Sequence, residues 1–319
     1  MGTESKNTKP HPNLSSSEIL DAQLAVWETA RNNYAALSQV EEKQLEVNGY
    51  TYKVQFNPAR IISSAAKVDD TSIRERKCFL CSSNRPPEQK GINFNNHYSI
   101  LVNPYPIFPC HFTIAEHEHT EQRILPRFSD MIDLADTLND CVIFYNGPQC
   151  GASAPDHAHF QAGSKGFLPI EKGLQTNEVA TYGKAILKVS DDILRPALCI
   201  ESTDKADVVK LFHLIYSTLE TQISNSNEPM MNIVARYENC TWTVCLFLRA
   251  KHRPSCYFAK GKEHLLISPA SVDLGGVFIT PLENDFRKIT ASNIAAILKE
   301  IGISPVGLQK LIQQIKKRL

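Results

Sequence analysis

The sequence predicts an α+β fold built from two similar halves. Three observations predict it. Runs of β-prone residues are joined by short polar connections, and helical periodicity is confined to segments between those groups. A strand, short connection, strand pattern also occurs twice, in "SILVNPYPIFPCHFTIA" and in "NIVARYENCTWTVCLFLR", about 130 residues apart. The expected division is a disordered lead-in over 1–16, a first lobe over 17–172 and a second over 173–319.

The elements follow in order. Ser15 and Glu18 have the spacing of a capping box, and Leu20, Leu24, Trp27, Arg31 and Tyr34 recur at helical intervals, which predicts a helix from about Ser17 to Leu37. "LEVNGYTYKVQF" reads as a hairpin turning at Asn48-Gly49. "CFLCSSNRPPEQ" is turn chemistry carrying two cysteines, and "YSILVNPYPIFPCHFTIAE" is two strands around a proline-rich bend. Pro126 opens a helix to about Asn139; "CVIFYN" and "HAHFQA" are strands flanking a loop of glycine and small residues. A helix over "DVVKLFHLIYSTLETQI" precedes the second strand pair, and a helix over "SPVGLQKLIQQIKKRL" follows it.

Composition narrows the function classes. The chain has 319 residues, 42% hydrophobic and 21% charged, which suits a globular protein with a substantial core. The 34 basic side chains balance 34 acidic ones, so no general attraction to nucleic acid or an anionic membrane is expected. No apolar run reaches the roughly 20 residues that span a bilayer, and "MGTESKNTKPHPNLSSS" lacks the apolar stretch of a signal peptide. Nine scattered cysteines do not form a disulfide framework and fit a reducing cytoplasm.

The chemistry concentrates in "FYNGPQCGASAPDHAHFQAG", residues 144–163. Successive strand residues face opposite sides, so His157, His159 and Gln161 are expected on one face, with Ala158 and Phe160 behind them. Three aligned polar groups are costly to bury unless they bind something. In the preceding loop, Gly147, Gly151 and Ala152 allow backbone N–H groups close to an anion, and Ser153 adds a hydroxyl. A phosphate held there beside a neutral imidazole is the setting for a histidine nucleophile attacking phosphorus. A His-X-His alone is commonly a coincidental pair; here it is the order strand, Asn146, glycine loop, Ser153, His-X-His-X-Gln that carries the reading.

These motifs resemble the histidine-triad superfamily. They are most similar to the branch with Gln in place of the third histidine, which includes galactose-1-phosphate uridylyltransferase, diadenosine tetraphosphate phosphorylase and the GDP-hexose phosphorylases. The likeness covers roughly residues 57–172. It implies two histidine-triad-like lobes, each an antiparallel sheet with packed helices, the second without the histidine motif. It also implies that His159 is the covalent nucleophile, that Gln161 hydrogen-bonds a phosphoryl oxygen, and that Asn146, Gly151 and Ser153 cradle the phosphates. Pro155-Asp156 makes the run from Ser153 to His157 longer than in the family, which bears on the placement of Ser153.

Cys78 and Cys81 form a C-x-x-C spacing that suits two thiolates on one zinc; free thiols in a turn are the alternative. The resemblance implies that a Zn²⁺ site is completed by His119 and His157, with His117 the alternative to His119. A metal held by four protein ligands is structural rather than catalytic. Mg²⁺ would enter only with the nucleotide.

Further candidates are Arg60 and Lys165 as phosphate contacts, each with a solvated loop position as the alternative. Asn103 is a nucleotide contact, His111 a strand histidine that satisfies a local hydrogen bond, and Arg249, Lys251, His252 and Arg253 a second-half cluster for sugar phosphate or phosphate. The implied activity is a nucleotidyltransferase or phosphorylase cleaving a nucleoside diphosphate hexose or dinucleoside polyphosphate through a nucleotidyl-histidine, with phosphate as acceptor. The alternatives are exchange with a hexose-1-phosphate and a zinc-stabilised nucleotide-binding protein without catalysis. Homodimerisation is left open by the sequence.

Overall fold

The computed structural model describes residues 15–61, 68–221 and 228–319. Most of the expected lead-in, residues 1–14, therefore lies outside the described residues. The side chain of Ser15 accepts from the Glu18 backbone N–H at the start of α1, Ser16–Val26. The expected single helix is two, because Trp27 takes an extended backbone (φ −119°, ψ 98°) before α2, Glu28–Ala36. No proline or glycine announces this break. Its indole is buried, and the residues around the break line the large cavity described below.

The hairpin forms as expected. β1, Glu41–Val47, pairs with β2, Tyr50–Phe56, with Val47 opposite Tyr50. The two turn residues have positive φ, 52° at Asn48 and 80° at Gly49, the tight turn whose twist matches the strands. β13, Val277–Thr280, adds in parallel beside β2, so this three-stranded sheet joins segments more than 200 residues apart in the sequence.

The other ten strands form one continuous sheet. Its first half comprises β3, Gly91–Phe94; β4, Tyr98–Val102; β5, His111–Glu116; β6, Cys141–Asn146; and β7, His159–Ser164. The second comprises β8, Thr176–Tyr182; β9, Ala185–Ser190; β10, Ala197–Ser202; β11, Met231–Glu238; and β12, Thr241–Leu248. The strand order is β3-β4-β5-β7-β6-β11-β12-β10-β9-β8, antiparallel throughout, and the halves meet where β6 pairs with β11. The order within each half is the same, and each half places a helix between its third and fourth strands: α3, Phe128–Thr137, and α4, Lys205–Glu220. The topological counterpart of β11 and β12 is thus β6 and β7, not the β4 and β5 pair to which the sequence pattern matched it. Short apolar strands look alike in sequence, and position in the sheet decides their equivalence.

Alternation in the central strands sorts side chains between two cores. In β6, Cys141, Ile143 and Tyr145 join Phe160 and Ala162 of β7 on the face covered by α3, α4 and the C-terminal helix α6, Pro305–Lys316. The rings of Phe128 and Phe212 stack there at 3.6 Å, locking α3 to α4. Val142 and Phe144 face the other way, under the three-stranded sheet and the helix α5, Ala291–Ile301. His159 and Gln161 share this second face. Among the described residues, no helix is long and apolar enough to cross a membrane.

Candidate active site

A cavity of about 1050 Å³ opens on that second face. His159, Gln161, Asn146, Gly151, Ser153 and Arg60 all line it. Gly147 and Lys165 do not: Gly147 packs against the Met231 carbonyl, and the Lys165 ammonium donates to the carbonyl of Tyr237. β7 begins at His159, so the alternation argument holds for His159 and Gln161 only. His157 lies in the loop before the strand, and its side chain joins a separate cluster.

The local geometry of His159 defines its chemistry. Its ring is buried, and Nδ1 lies 2.8 Å from the carbonyl oxygen of its neighbour His157. Nδ1 must therefore carry the hydrogen, which leaves the lone pair on Nε2. Burial outweighs the opposing effect of the bond to the His157 carbonyl and pushes this imidazole down to about 4, so it is neutral at physiological pH. A neutral, tautomerically fixed imidazole in a cavity is a competent nucleophile.

Gln161 is oriented by a second relay. The backbone N–H of Ile107 donates to His111 Nδ1 at 3.1 Å, so the hydrogen of that ring sits on Nε2. His111 Nε2 then donates to Gln161 Oε1 at 3.0 Å, leaving the Gln161 amide hydrogens for the cavity. His111 is fully buried; burial first, and the neighbouring Arg60 cation second, hold it at about 3, so its acceptor nitrogen stays free of a proton. The His111 ring packs edge-on to Phe108 at 5.3 Å. Opposite His111 on β7, Gly163 leaves room for Phe108, whose ring a Cβ would meet at 2.4 Å.

The loop between β6 and β7 is pinned at both ends. Buried Gln122 donates to the carbonyls of Asn146 and His159, each at 3.0 Å, and accepts from the His159 N–H at 2.8 Å. Asn146 Oδ1 accepts from Asn232 Nδ2 and from the Ser271 N–H, both at 2.9 Å, so only its amide nitrogen remains for a ligand. Asn232 also donates to the Cys150 carbonyl at 2.7 Å and accepts from Arg249 at 2.7 Å. Gly151 has φ +92° and an added Cβ would lie 2.6 Å from that of Ala270, so this position needs glycine on both counts.

Arg60 donates to the Tyr105 carbonyl at 2.8 Å; burial lowers it to about 10, and it remains cationic. Buried Asp273 also lines the cavity, where burial raises it to about 6. Asn103 lines the cavity, but its side chain is engaged by Thr113 and the Tyr105 N–H. In the second-half basic cluster, Arg249 is buried as scaffolding and Lys251 pairs with Glu300. Arg253 donates to Ser268, a cavity residue, at 3.0 Å.

Cys78, Cys81, His119 and His157 converge, their ligand atoms all within 4.8 Å of one another. The separations are 3.3 Å for Cys78 Sγ to His157 Nδ1, 3.2 Å for Cys81 Sγ to His119 Nδ1 and 3.6 Å for Cys81 Sγ to His157 Nδ1. A tetrahedral zinc with ordinary bond lengths sets sulfur and nitrogen about 3.6 Å apart. Each histidine also has a backing acceptor for its other nitrogen: His157 Nε2 lies 2.8 Å from the Glu116 carbonyl, and His119 Nε2 lies 3.5 Å from Asp156. Burial pushes the Cys78 thiol up, but His157 and the N–H groups of Leu80 and Cys81 outweigh it and hold it at about 6, ready as a thiolate. The donor set and its surroundings fit a metal ion. His117 lies outside the cluster, against Ser99.

Comparison with known proteins agrees with this geometry at the level of fold. A family profile described as a domain of unknown function (DUF4922) matches residues 19–164. A search of curated protein sequences finds no match. Among solved structures, yeast Ap4A phosphorylase Apa2 in complex with Ap4A is similar with a TM-score of 0.61 at 15% identity, covering 92% of this chain and 99% of that one. A second structure of the same yeast enzyme gives 0.56 at 16% identity, over 86% and 94%. The chain thus shares the fold of that yeast enzyme.

Gln122, Asn232, Ser271 and Asp273 were not legible in the sequence. Each is an ordinary polar residue whose importance comes from burial against residues distant in the chain, and only the order of the fold shows it.

The two low-titrating imidazoles predict the acid limb of stability. The unfolded chain binds protons on both histidines below about pH 6.5, whereas the folded chain holds His159 neutral down to about 4 and His111 to about 3. Stability therefore falls as pH drops from about 6.5, by up to about 1.4 kcal/mol per pH unit for each imidazole, and neither contributes above that range. Denaturant titration between pH 6.5 and 5 should give a shallower decline for His111→Gln than for the wild type; equal slopes would contradict the burial of a neutral His111.

Proposed function

We propose that the chain is a nucleotidyltransferase of the phosphorylase type, acting on a nucleoside diphosphate hexose or a dinucleoside polyphosphate. The observation that carries this reading is the pairing of a neutral His159, its Nδ1 engaged by the His157 carbonyl, with Gln161, its amide hydrogens turned to the same cavity. Support also comes from the fold shared with the yeast Ap4A phosphorylase, solved with Ap4A bound.

In the first step the Nε2 lone pair of His159 forms a bond to the α-phosphorus, and the bond from that phosphorus to the bridging oxygen breaks. The leaving group departs with the electron pair as a hexose phosphate or nucleotide anion. In the second step an oxygen of inorganic phosphate attacks the phosphorus, the P–N bond breaks, and a nucleoside diphosphate leaves with His159 restored. Gln161, Ser153 and the Asn146 amide supply donors to phosphoryl oxygens as their charge rises. Arg60 adds a cation that its Tyr105 contact holds in place. Sugar phosphates and nucleotides are good leaving groups, so the scheme requires no strong general acid.

Zn²⁺ fits the Cys78, Cys81, His119 and His157 cluster in a structural role, since all four positions are protein ligands. When bound it would tie the C-x-x-C turn to His157, the residue whose carbonyl orients His159.

Two experiments test this. The first supplies GDP-, ADP- and UDP-hexoses and diadenosine tetraphosphate, with and without phosphate. Phosphate-dependent release of nucleoside diphosphate is expected, reduced on the order of 10³-fold or more in His159→Ala and about 10²- to 10³-fold in Gln161→Ala. Turnover only with added hexose-1-phosphate would replace the phosphorylase by an exchange enzyme, and no turnover of any donor would contradict the reading. The second measures metal content: about one zinc per chain is expected, lost in Cys78→Ala together with a lower denaturation midpoint. A metal-free chain of unchanged stability would rule out the zinc site.

A further inference from the structure

The nucleotide cavity has a second guanidinium that the scheme above does not use. A short helix, Asp70–Glu75, ends at Arg76, where the backbone becomes extended (φ −87°, ψ 148°) and leads into the C-x-x-C turn. Arg76 lines the cavity together with Ser72, Phe79 and Leu80 of the same segment.

Its guanidinium is held from two sides. Nη2 forms an ion pair with Asp156 Oδ1, and the guanidinium carbon lies 5.4 Å from the Phe79 ring centroid. The other oxygen of Asp156 is committed too, 3.5 Å from His119 Nε2. Asp156 thus bridges the cavity wall to the Cys/His cluster and does not itself line the cavity. Nη1 of Arg76 is buried without a hydrogen-bond partner among the described residues. A guanidinium with donors unused, immobilised by a carboxylate and an aromatic ring, has the form of an anion-binding group. An arginine placed only to close a loop would be expected to spend its donors on that loop.

The substrate class proposed above supplies the anion. A nucleoside diphosphate sugar or dinucleoside polyphosphate carries at least one phosphoryl group that His159 does not attack. Those groups keep their charge through both steps and must be neutralised in a cavity that also contains Asp273. We infer that Arg76 binds a non-reacting phosphoryl group of the substrate's polyphosphate chain and that Asp156 is its positioning residue. This rests on the cavity being the nucleotide site. It adds a contact beyond the glycine loop, and it ties phosphate binding to the segment that carries both cysteines.

The test measures binding of inorganic tripolyphosphate to the full-length, metal-loaded protein by calorimetry, in a His159→Ala background so that nothing turns over. Arg76→Gln should weaken binding roughly 10- to 100-fold, the range of a charged hydrogen bond. Arg76→Lys keeps the charge without the planar fork and should lose less, with zinc content and folding as in the parent. Asp156→Asn, compared at equal zinc occupancy because Asp156 also backs His119, should lose less as well. If Arg76→Gln should fail to fold, Arg76→Lys still decides: a measurable loss supports the contact. Tripolyphosphate binding equal to the parent in both Arg76 variants would overturn the inference and leave the proposed activity standing, because that activity is read independently from His159 turnover. A parent that binds no tripolyphosphate would overturn it as well, and the proposed activity falls with it only where the donor panel is also silent.

Discussion

The 2.8 Å contact between His159 Nδ1 and the His157 carbonyl is the constraint on which the site depends. It decides which imidazole nitrogen keeps its lone pair, and it makes the position of a backbone carbonyl part of the chemistry. That carbonyl belongs to a residue whose side chain is held by Cys78, by Cys81 and by the Glu116 carbonyl. The Cys/His cluster and the orientation of His159 therefore meet in a single residue, two positions before His159. The division of labour between the two histidines follows from where β7 begins: His157 precedes the strand and turns to the cluster, and His159 opens it and turns to the cavity.

Around this contact the structure spends its buried polar groups on rigidity. Gln122 holds both ends of the glycine loop, Asn232 joins Asn146 to Cys150, and Arg249 holds Asn232 from behind. These buried bonds reach the loop from distant parts of the chain, and together they fix one arrangement of it. Because Asn232 and Arg249 come from the second half and Ser271 from beyond it, that half braces the glycine loop although it has no histidine motif. The junction of β6 with β11 brings the two halves to the same loop. The hairpin β1–β2, paired with β13, packs on the same face of the large sheet as Val142 and Phe144 and links residues 41–56 to residues 277–280.

Local chemistry was readable in the sequence, and long-range chemistry was not. Asn48-Gly49, the strands beside the glycine loop and the C-x-x-C spacing act within a few residues, and the structure forms each of them. The side chains of His159 and Gln161 share a face because alternation is a local rule. The same rule misplaced His157, because it assumed the strand began two residues early. The break at Trp27 places a buried indole at the cavity with no proline or glycine to mark it, and helical periodicity does not register it. Lys165 illustrates the reverse error: adjacent in sequence to β7, it reaches across to Tyr237 of β11. The recurring strand pattern was real, but it joined the wrong pairs because apolar strands carry little positional information.

The most direct measurement is the mass of the intact protein after mixing with a nucleotide donor in the absence of phosphate, followed by peptide mapping of any adduct. The account predicts a gain of one nucleoside monophosphate, mapped to His159, stable at alkaline pH and discharged when phosphate is added. A protein that turns over donor without ever gaining that mass, or that carries it on another residue, would contradict a covalent nucleotidyl-His159 and with it the role assigned to the His157 carbonyl.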